Sequence, residues 1–487
     1  MTAACTVSRR DALKLSGGLF LVFAAGAAAD APKGGLDPTS LDSWIAIGPD
    51  GKVSVFFGKV DVGQGLDVAV AQMVAEELDV AVGSVSVAMG DTAISCNQGG
   101  ASGSTGVRMG GVALRHAAAQ ARDLLVRRAA EKLRCDHSDL STADGMVFKT
   151  RAPSVRVSYT ELLRGRYLEG RIDWNGKFGN VLALSGSAKP KSPDQYKVVG
   201  KSIARVDIPG KVMGTREFVT DVRVPGMLHG RVIRPPVAGA APNGIDRNSI
   251  AGIPDVQIVQ NGAFLGVVAA REWDAVRAAD ALRVTWSKVD PPFPSSADLP
   301  NHIRTAPPVK EMVDKNVGDV DAALAGAVRQ ISAEYVWPFQ SHACMGPACA
   351  VADVRPDGVT CWSGTQKPHF QQEGLARLLR RPVESVRVIW MPGPGSYGRN
   401  DAGDAAMDAA LMSAAIGKPV RVQGMRHDGH GWDPKGPASV HSLRAGLDKD
   451  GAIVAYDVRN KGFSRTEVSP TEADPSDTLA GRMIGFP

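Results

Sequence analysis

Apolar and polar residues alternate from Trp44 to Phe57 in two runs joined at Gly48-Pro49-Asp50-Gly51. The pattern predicts a β-hairpin, because Pro presets one turn dihedral and Gly permits a positive one. Arg355-Pro356-Asp357-Gly358 and Lys449-Asp450-Gly451 repeat the signal, each followed by a strand-like run. The apolar period then changes to that of a helix. Val70, Val74 and Leu78 share one face, as do Leu114, Ala118, Ala121, Leu125 and Ala129, and again Ala405, Ala409, Met412 and Ile416. Asp401 and Asp404 lie near the positive end of the last of these, and Gly417 to Pro419 stop it. Pro, Ser and Asp cluster around Ser185 to Gln195 and Pro291 to Pro308, which read as linkers. They divide the chain into blocks of roughly 40–180, 196–290 and 309–487, and the expected class is α+β, multidomain.

Composition adds compartment and excludes some partners. Apolar residues at 44% and charged residues at 22% are those of a folded chain of 487 residues, and 54 glycines imply many tight turns or close backbone approaches. A net charge of +5, with no basic stripe interleaved with aromatics, argues against nucleic acid as a partner. Ser8-Arg9-Arg10-Asp11-Ala12-Leu13-Lys14 precedes an apolar run from Leu15 to Ala29 that is shorter than the roughly 20 residues a spanning helix needs. Residues 1–29 therefore read as a twin-arginine signal for export of a folded protein to the periplasm. Of the six cysteines, Cys5 falls in that signal, and Cys96, Cys135, Cys344, Cys349 and Cys361 lack the spacing of an iron-sulfur, zinc or disulfide framework.

Three glycine-rich constellations are the candidates for chemistry. Gly63-Gln64-Gly65 stands before a helix starting near Asp67, where bare N–H groups suit an anion, although a plain helix-start turn has the same look. Gly99-Gly100-Ala101-Ser102-Gly103-Ser104-Thr105-Gly106 has no side chain large enough to keep a ligand from the backbone, and also reads as a surface loop. Gly393-Pro394-Gly395-Ser396-Tyr397-Gly398-Arg399-Asn400 lies between the strand run Val386 to Trp390 and a helix, the order of phosphate-cradling sites, but without the Gly-Lys-Ser/Thr of a nucleoside-triphosphate loop. His427 and His430, near Asp428 and Asp433, read as a loop with a weak metal pattern. No Gly-x-Ser-x-Gly elbow supports serine hydrolysis.

Taken in order, these segments resemble the molybdopterin-binding large subunits of the xanthine dehydrogenase family, in the permuted exported form of isoquinoline oxidoreductases and nicotinate dehydrogenases. The resemblance spans nearly the whole chain. It rests on Gly58-Lys59-Val60-Asp61-Val62-Gly63-Gln64-Gly65, Gly90-Asp91-Thr92, Gly210-Lys211-Val212-Met213-Gly214, Asp221, Pro225-Gly226-Met227-Leu228, Arg234-Pro235-Pro236, Ser341-His342-Ala343, Gly364-Thr365-Gln366 and the Gly395–Asn400 loop. It implies a molybdopterin-binding segment over 40–180, a hammerhead-like domain inserted over 196–290, and the first half of a molybdopterin-binding domain over 309–487.

The resemblance further implies molybdenum on molybdopterin cytosine dinucleotide, ligated by no protein side chain, with Gln366 hydrogen-bonding the metal's oxo group. Backbone at Ala101, Ser102, Gly103 and Ser104, and at Gly395, Ser396, Tyr397 and Gly398, would approach the metal, while Gly63, Gln64 and Gly65 would bind the pterin. It implies oxidation of a small aromatic N-heterocycle, or alternatively an aldehyde, with oxygen from water. Electrons would leave through 2Fe-2S clusters of a small partner subunit, with a cytochrome c subunit as a further partner. Met345-Gly346-Pro347 stands where many relatives carry Met-Glu-Pro, which leans toward the nicotinate dehydrogenase branch. The base Glu of the family's Gly-x-Gly-Glu motif has no counterpart before Pro487, so the resemblance implies a further chain supplying the C-terminal half. Two alternatives stay open: a truncated, inactive remnant, and a non-catalytic periplasmic binding or scaffold protein.

Overall fold

The computed structural model describes residues 36–164, 168–291, 293–393, 395–400, 402–463 and 471–487. The segment read as a signal, together with Pro394 and Asp401, lies outside them.

The predicted hairpin pairs Ile45–Ile47 with Val53–Phe57, and a third strand, Val85–Met89, lies parallel to the second with Val55 opposite Val87. The intervening helix Leu66–Leu78 carries the chain across that parallel pair, as a parallel connection requires. This helix and the helix Val112–Leu133 bury the faces their periodicity marks: Val70, Val74, Leu78, Leu114, Ala118, Ala121, Leu125 and Ala129 are all without exposed surface. The stretch 185–195 lies against the same helices, where the Lys191 ammonium meets Asp79 at 2.6 Å and its backbone N–H donates to Glu77.

A seven-stranded sheet forms the second core. Its order is Gln257–Asn261, Phe264–Ala269, Leu228–Val232, Val420–Gln423, Cys349–Arg355, Gly358–Ser363 and Val386–Trp390, so three strands from 228–269 and four from 349–423 share one sheet. The helix Ala402–Ile416 covers one face through Ala405, Ala409 and Met412. Met412 presses so close that a Cβ on Gly266 would lie 2.1 Å from its Cε, which explains a glycine inside a fully buried strand. The edge strand Val386–Trp390 joins the N-terminal unit through an antiparallel bridge between Ile389 and Asp91, and Arg387 holds the Asp91 carboxylate at 2.6 Å.

A separate antiparallel sheet comprises Arg329–Trp337, Ser439–Leu447 and Ile453–Gly462. One face is covered by the helices Leu299–Thr305 and Val320–Ala325, and the other presents Ile331, Tyr335, Trp337, Tyr456 and Val458 to solvent. The segment around His427 and His430 is a short helix, Arg426–Trp432, and not the loop expected, because Asp428 accepts from the Met425 N–H and caps its start. Cys96, Cys344, Cys349 and Cys361 are buried, while Cys135 is half-buried.

Candidate functional site

Gln366 follows the strand Gly358–Ser363 and precedes the helix Pro368–Leu378, so a strand end and a helix start hold it in place. Its side chain is buried, and its Nε2 donates to the carbonyls of Ala101 at 3.2 Å and Gly398 at 3.3 Å. Its Oε1 accepts from the Asn400 N–H, while its backbone carbonyl accepts from the Ala101 N–H at 2.8 Å. One amide therefore gathers two of the three glycine-rich loops. Ala101 and Ser102 are half-buried beside it, and Gly103, Ser104, Tyr397 and Gly398 form an exposed rim, with Gly395 half-buried and Ser396 buried behind.

Both loops store backbone strain at this meeting point. Ser104 at φ 56° and Tyr397 at φ 48° occupy the left-handed region without being glycine, a cost of about 1–3 kcal/mol each that clusters at ligand sites. The Tyr397 turn is held from below by the Cys344 thiol, which contacts the carbonyls of Ser396 and Arg399.

The glycines divide into two kinds. Gly100 and Gly398 make room for neighbours within the protein: a Cβ there would lie 2.5 Å from Lys367 Cγ and 2.7 Å from the His342 ring. Gly63 and Gly103 instead have nothing within 4 Å of that position. At the first pair the missing side chain also lets loop pack on loop.

Gly63-Gln64-Gly65 joins the site at one remove. Gly65 caps the helix Leu66–Leu78, whose first residue fits against Gly106 at the end of the small-residue loop. Asp61 accepts from the N–H groups of Gly65 and Leu66, and the side-chain oxygen of the exposed Gln64 accepts from the Val62 N–H. The Arg205 guanidinium, which no sequence motif marks, donates to the Gly63 carbonyl at 2.7 Å and is fixed by Asp207 at 2.6 Å. Hydrogen bonds from Arg205 hold the Asp207 carboxyl far below its ordinary range.

Two ions, Lys59 within the Gly58–Gly65 run and Glu472 outside any motif, are buried nearby. Lys59 donates to the Gly100 carbonyl at 2.9 Å, Thr105 Oγ1 at 3.1 Å and Asn180 Oδ1 at 2.6 Å, and burial pushes its pKa down to about 8. Glu472 lies 3.5 Å from Arg399 and accepts from the Thr365 hydroxyl at 3.4 Å. Burial raises its pKa, against the pull of Lys367 and Arg399. In the sequence Lys59 stands in the Gly58–Gly65 run, just after a strand, but nothing there marks it as buried. Glu472 carries no signal, because its partners lie 73 and 107 positions away in sequence.

A flat anionic cofactor fits this donor set. The loops offer a rim of bare backbone at Gly63 and Gly103, a fixed carboxamide at Gln366, and cations at Lys59 and Arg205.

Comparison with known proteins agrees with that chemistry. Models of the molybdopterin cofactor-binding domain match residues 11–215 and 302–470. The chain is 40% identical over 436 residues to a nicotinate dehydrogenase subunit from Pseudomonas putida, covering 87% of this chain and 36% of that protein. It is 30% identical over 457 residues to the beta subunit of isoquinoline 1-oxidoreductase from Brevundimonas diminuta, covering 85% and 58%. The aldehyde oxidoreductase molybdenum-binding subunit PaoC of Escherichia coli K12 is 29% identical over 295 residues, covering 54% and 40%. This chain thus spans less than two thirds of the length of each of these relatives. With two molybdopterin cofactor-binding segments and a shared cradle built from them, the chain belongs to the molybdopterin-binding large subunits of the xanthine dehydrogenase family.

Proposed function

We propose that this chain is the cofactor-binding subunit of an exported molybdenum hydroxylase or dehydrogenase that oxidises an aromatic N-heterocycle or an aldehyde with oxygen taken from water. The observation that carries the reading is Gln366, whose carboxamide is held by the backbone of Ala101, Gly398 and Asn400. When bound, the molybdenum centre of molybdopterin cytosine dinucleotide supplies a two-electron oxidation. The chain's own residues orient and enclose. Gln366 presents a hydrogen-bonding amide where the loops meet, the strained Ser104 and Tyr397 fix their approach, and Arg205 with Gly63 and Gly65 receives the anionic end of the cofactor.

Electrons leave through 2Fe-2S clusters in a small partner subunit and pass on to a cytochrome c subunit. The uncovered face bearing Tyr335, Trp337 and Tyr456 supports a further polypeptide partner, since such patches mark interaction sites. Export by the twin-arginine route to the periplasm rests on Arg9 and Arg10.

The test is to purify the full chain with its co-expressed partners and measure molybdenum and released nucleotide. Nicotinate, isoquinoline and an aromatic aldehyde are then offered with an artificial electron acceptor in ¹⁸O-labelled water. Bound molybdenum, cytosine nucleotide and labelled product are expected; a complex without molybdenum overturns the reading.

A further inference from the structure

Lys59 has no exposed surface, and its three partners among the described residues are all neutral oxygens. A buried ammonium without a counter-ion is an expensive choice, because hydrogen bonds to neutral acceptors recover only part of the hydration it gives up. The elements around it offer no compensation: the Gly99–Thr105 loop meets it with a carbonyl and a hydroxyl, the 179–181 turn with the Asn180 amide, and the Gly106–Gly111 turn with Gly110, while Arg108 of that turn is exposed. Burial is accordingly what lowers its proton affinity.

The position of the ammonium gives this cost a purpose. Lys59 grips the carbonyl of Gly100, and the N–H of the same peptide unit, on Ala101, donates to the Gln366 carbonyl at 2.8 Å. One peptide plane is therefore clamped by Lys59 on one side and by Gln366 on the other. Gln366 Nε2 returns to the Ala101 carbonyl, so the plane that Lys59 fixes also sets the carboxamide. The Thr105 hydroxyl, bonded to Lys59, also donates to the Ser102 carbonyl at 2.7 Å and tightens the same loop.

We propose that Lys59 is a positioning residue that sets Gln366 through the Gly100–Ala101 peptide, and that its buried positive charge is balanced by the anionic cofactor in the loaded protein. This rests on the cofactor reading above. Loading is then coupled to the charge on Lys59, and the cofactor is held less tightly once the ammonium loses its proton.

The experiment uses the full chain purified with its partners, as wild type, Lys59→Met, Lys59→Arg and Asn180→Ala. Each is incubated between pH 6 and pH 10 and desalted, and retained molybdenum and pterin are measured independently of turnover. Wild type is expected to lose cofactor above about pH 8, with affinity falling by up to about tenfold per pH unit, the limit for one linked proton. Lys59→Met should retain little at any pH. Lys59→Arg, which cannot lose its charge in this range, should retain the cofactor without the alkaline loss. Asn180→Ala should keep the alkaline loss but begin it at lower pH, since one of the ammonium's acceptors is gone. A Met variant loaded like wild type overturns the proposal and leaves the cofactor reading standing. If the Met variant does not fold, an Arg variant with an unchanged alkaline loss overturns it equally. Wild type without molybdenum overturns both.

Discussion

Lys59 and Glu272 are both ions that the fold draws in among other side chains, and they are held in opposite ways. Among the described residues Lys59 has three neutral acceptors and no partner charge. Glu272, at the start of the helix Glu272–Ala281, receives both Arg231 and Arg421 on one oxygen, at 2.9 and 3.0 Å. Burial raises the Glu272 pKa, but the two guanidiniums outweigh it and hold the carboxyl down to about 2. The difference separates a fastening from a device. Glu272 stays charged across the whole physiological range and joins adjacent strands of the seven-stranded sheet, whereas burial pushes Lys59 down to about 8 beneath the candidate site.

The most forceful way to break the comparison is Glu272→Gln, which leaves two buried guanidiniums facing each other. It should cost about 3 kcal/mol, the lower end of the range for an orphaned buried partner, because Glu272 itself is partly exposed. Denaturant unfolding measures this, and a loss below about 1 kcal/mol would mean that solvent already screens the cluster. Adding Arg421→Met to Glu272→Gln should recover much of the loss, since the remaining Arg231 then has one like charge fewer beside it; strict additivity would deny the coupling.

Lys59→Met should act less on stability than on loading. Three acceptors lose a donor, a cost of about 1–3 kcal/mol, partly offset because an uncompensated charge is removed with it. Unfolding of the cofactor-free protein would read the net, which is expected to be smaller than that of Glu272→Gln.

A further effect is one of pH: both lowered pKa values make stability rise with pH, for Glu272 as a contribution gained in the acid range and for Lys59 as a penalty relieved in the alkaline range. The lowered pKa of Lys59 means the folded protein binds fewer protons than the unfolded chain between about pH 8 and its ordinary value of 10.5. The penalty of burying it is fully present below about 8 and relieved as pH rises, so the cofactor-free wild type should gain stability there relative to Lys59→Met. Glu272 contributes stability above its ordinary value of 4.5 that is lost as pH falls through about 2, so it adds no slope in the same alkaline window. Melting curves of the two single variants between pH 7 and pH 10 would show both behaviours; equal slopes for Lys59→Met and wild type would refute the first.

Much of the local structure is legible in the residue pattern. The helix faces of Val70, Leu114 and Ala405 are buried as their period requires, and the turn at Gly48 to Gly51 closes the hairpin it signals. The strand-like run Val386 to Trp390 is also readable, but its contact with Asp91 and Arg387's grip on that residue are not, because the partners stand nearly 300 positions apart. The candidate site follows the same division. Gln366, the Ala101–Ser104 run and the Gly395–Gly398 loop stand out by local pattern together with family resemblance. Asn180, Arg205 and Glu472 have no local pattern to mark them, and Lys59, though it stands in the Gly58–Gly65 run, has none that marks it as buried.

The sequence by itself determined the elements and the residues able to line a ligand, since periodicity, turn chemistry and small side chains act over a few neighbouring positions. Only the tertiary structure decided that the Gly99–Thr105 loop would lie between Lys59 and Gln366, and that some glycines make room for loops and others for open space. The physical reason is that burial and hydrogen-bond partnership depend on surfaces brought together from distant parts of the chain. A cation just beyond a strand becomes the clamp of a peptide plane only when another segment closes over it.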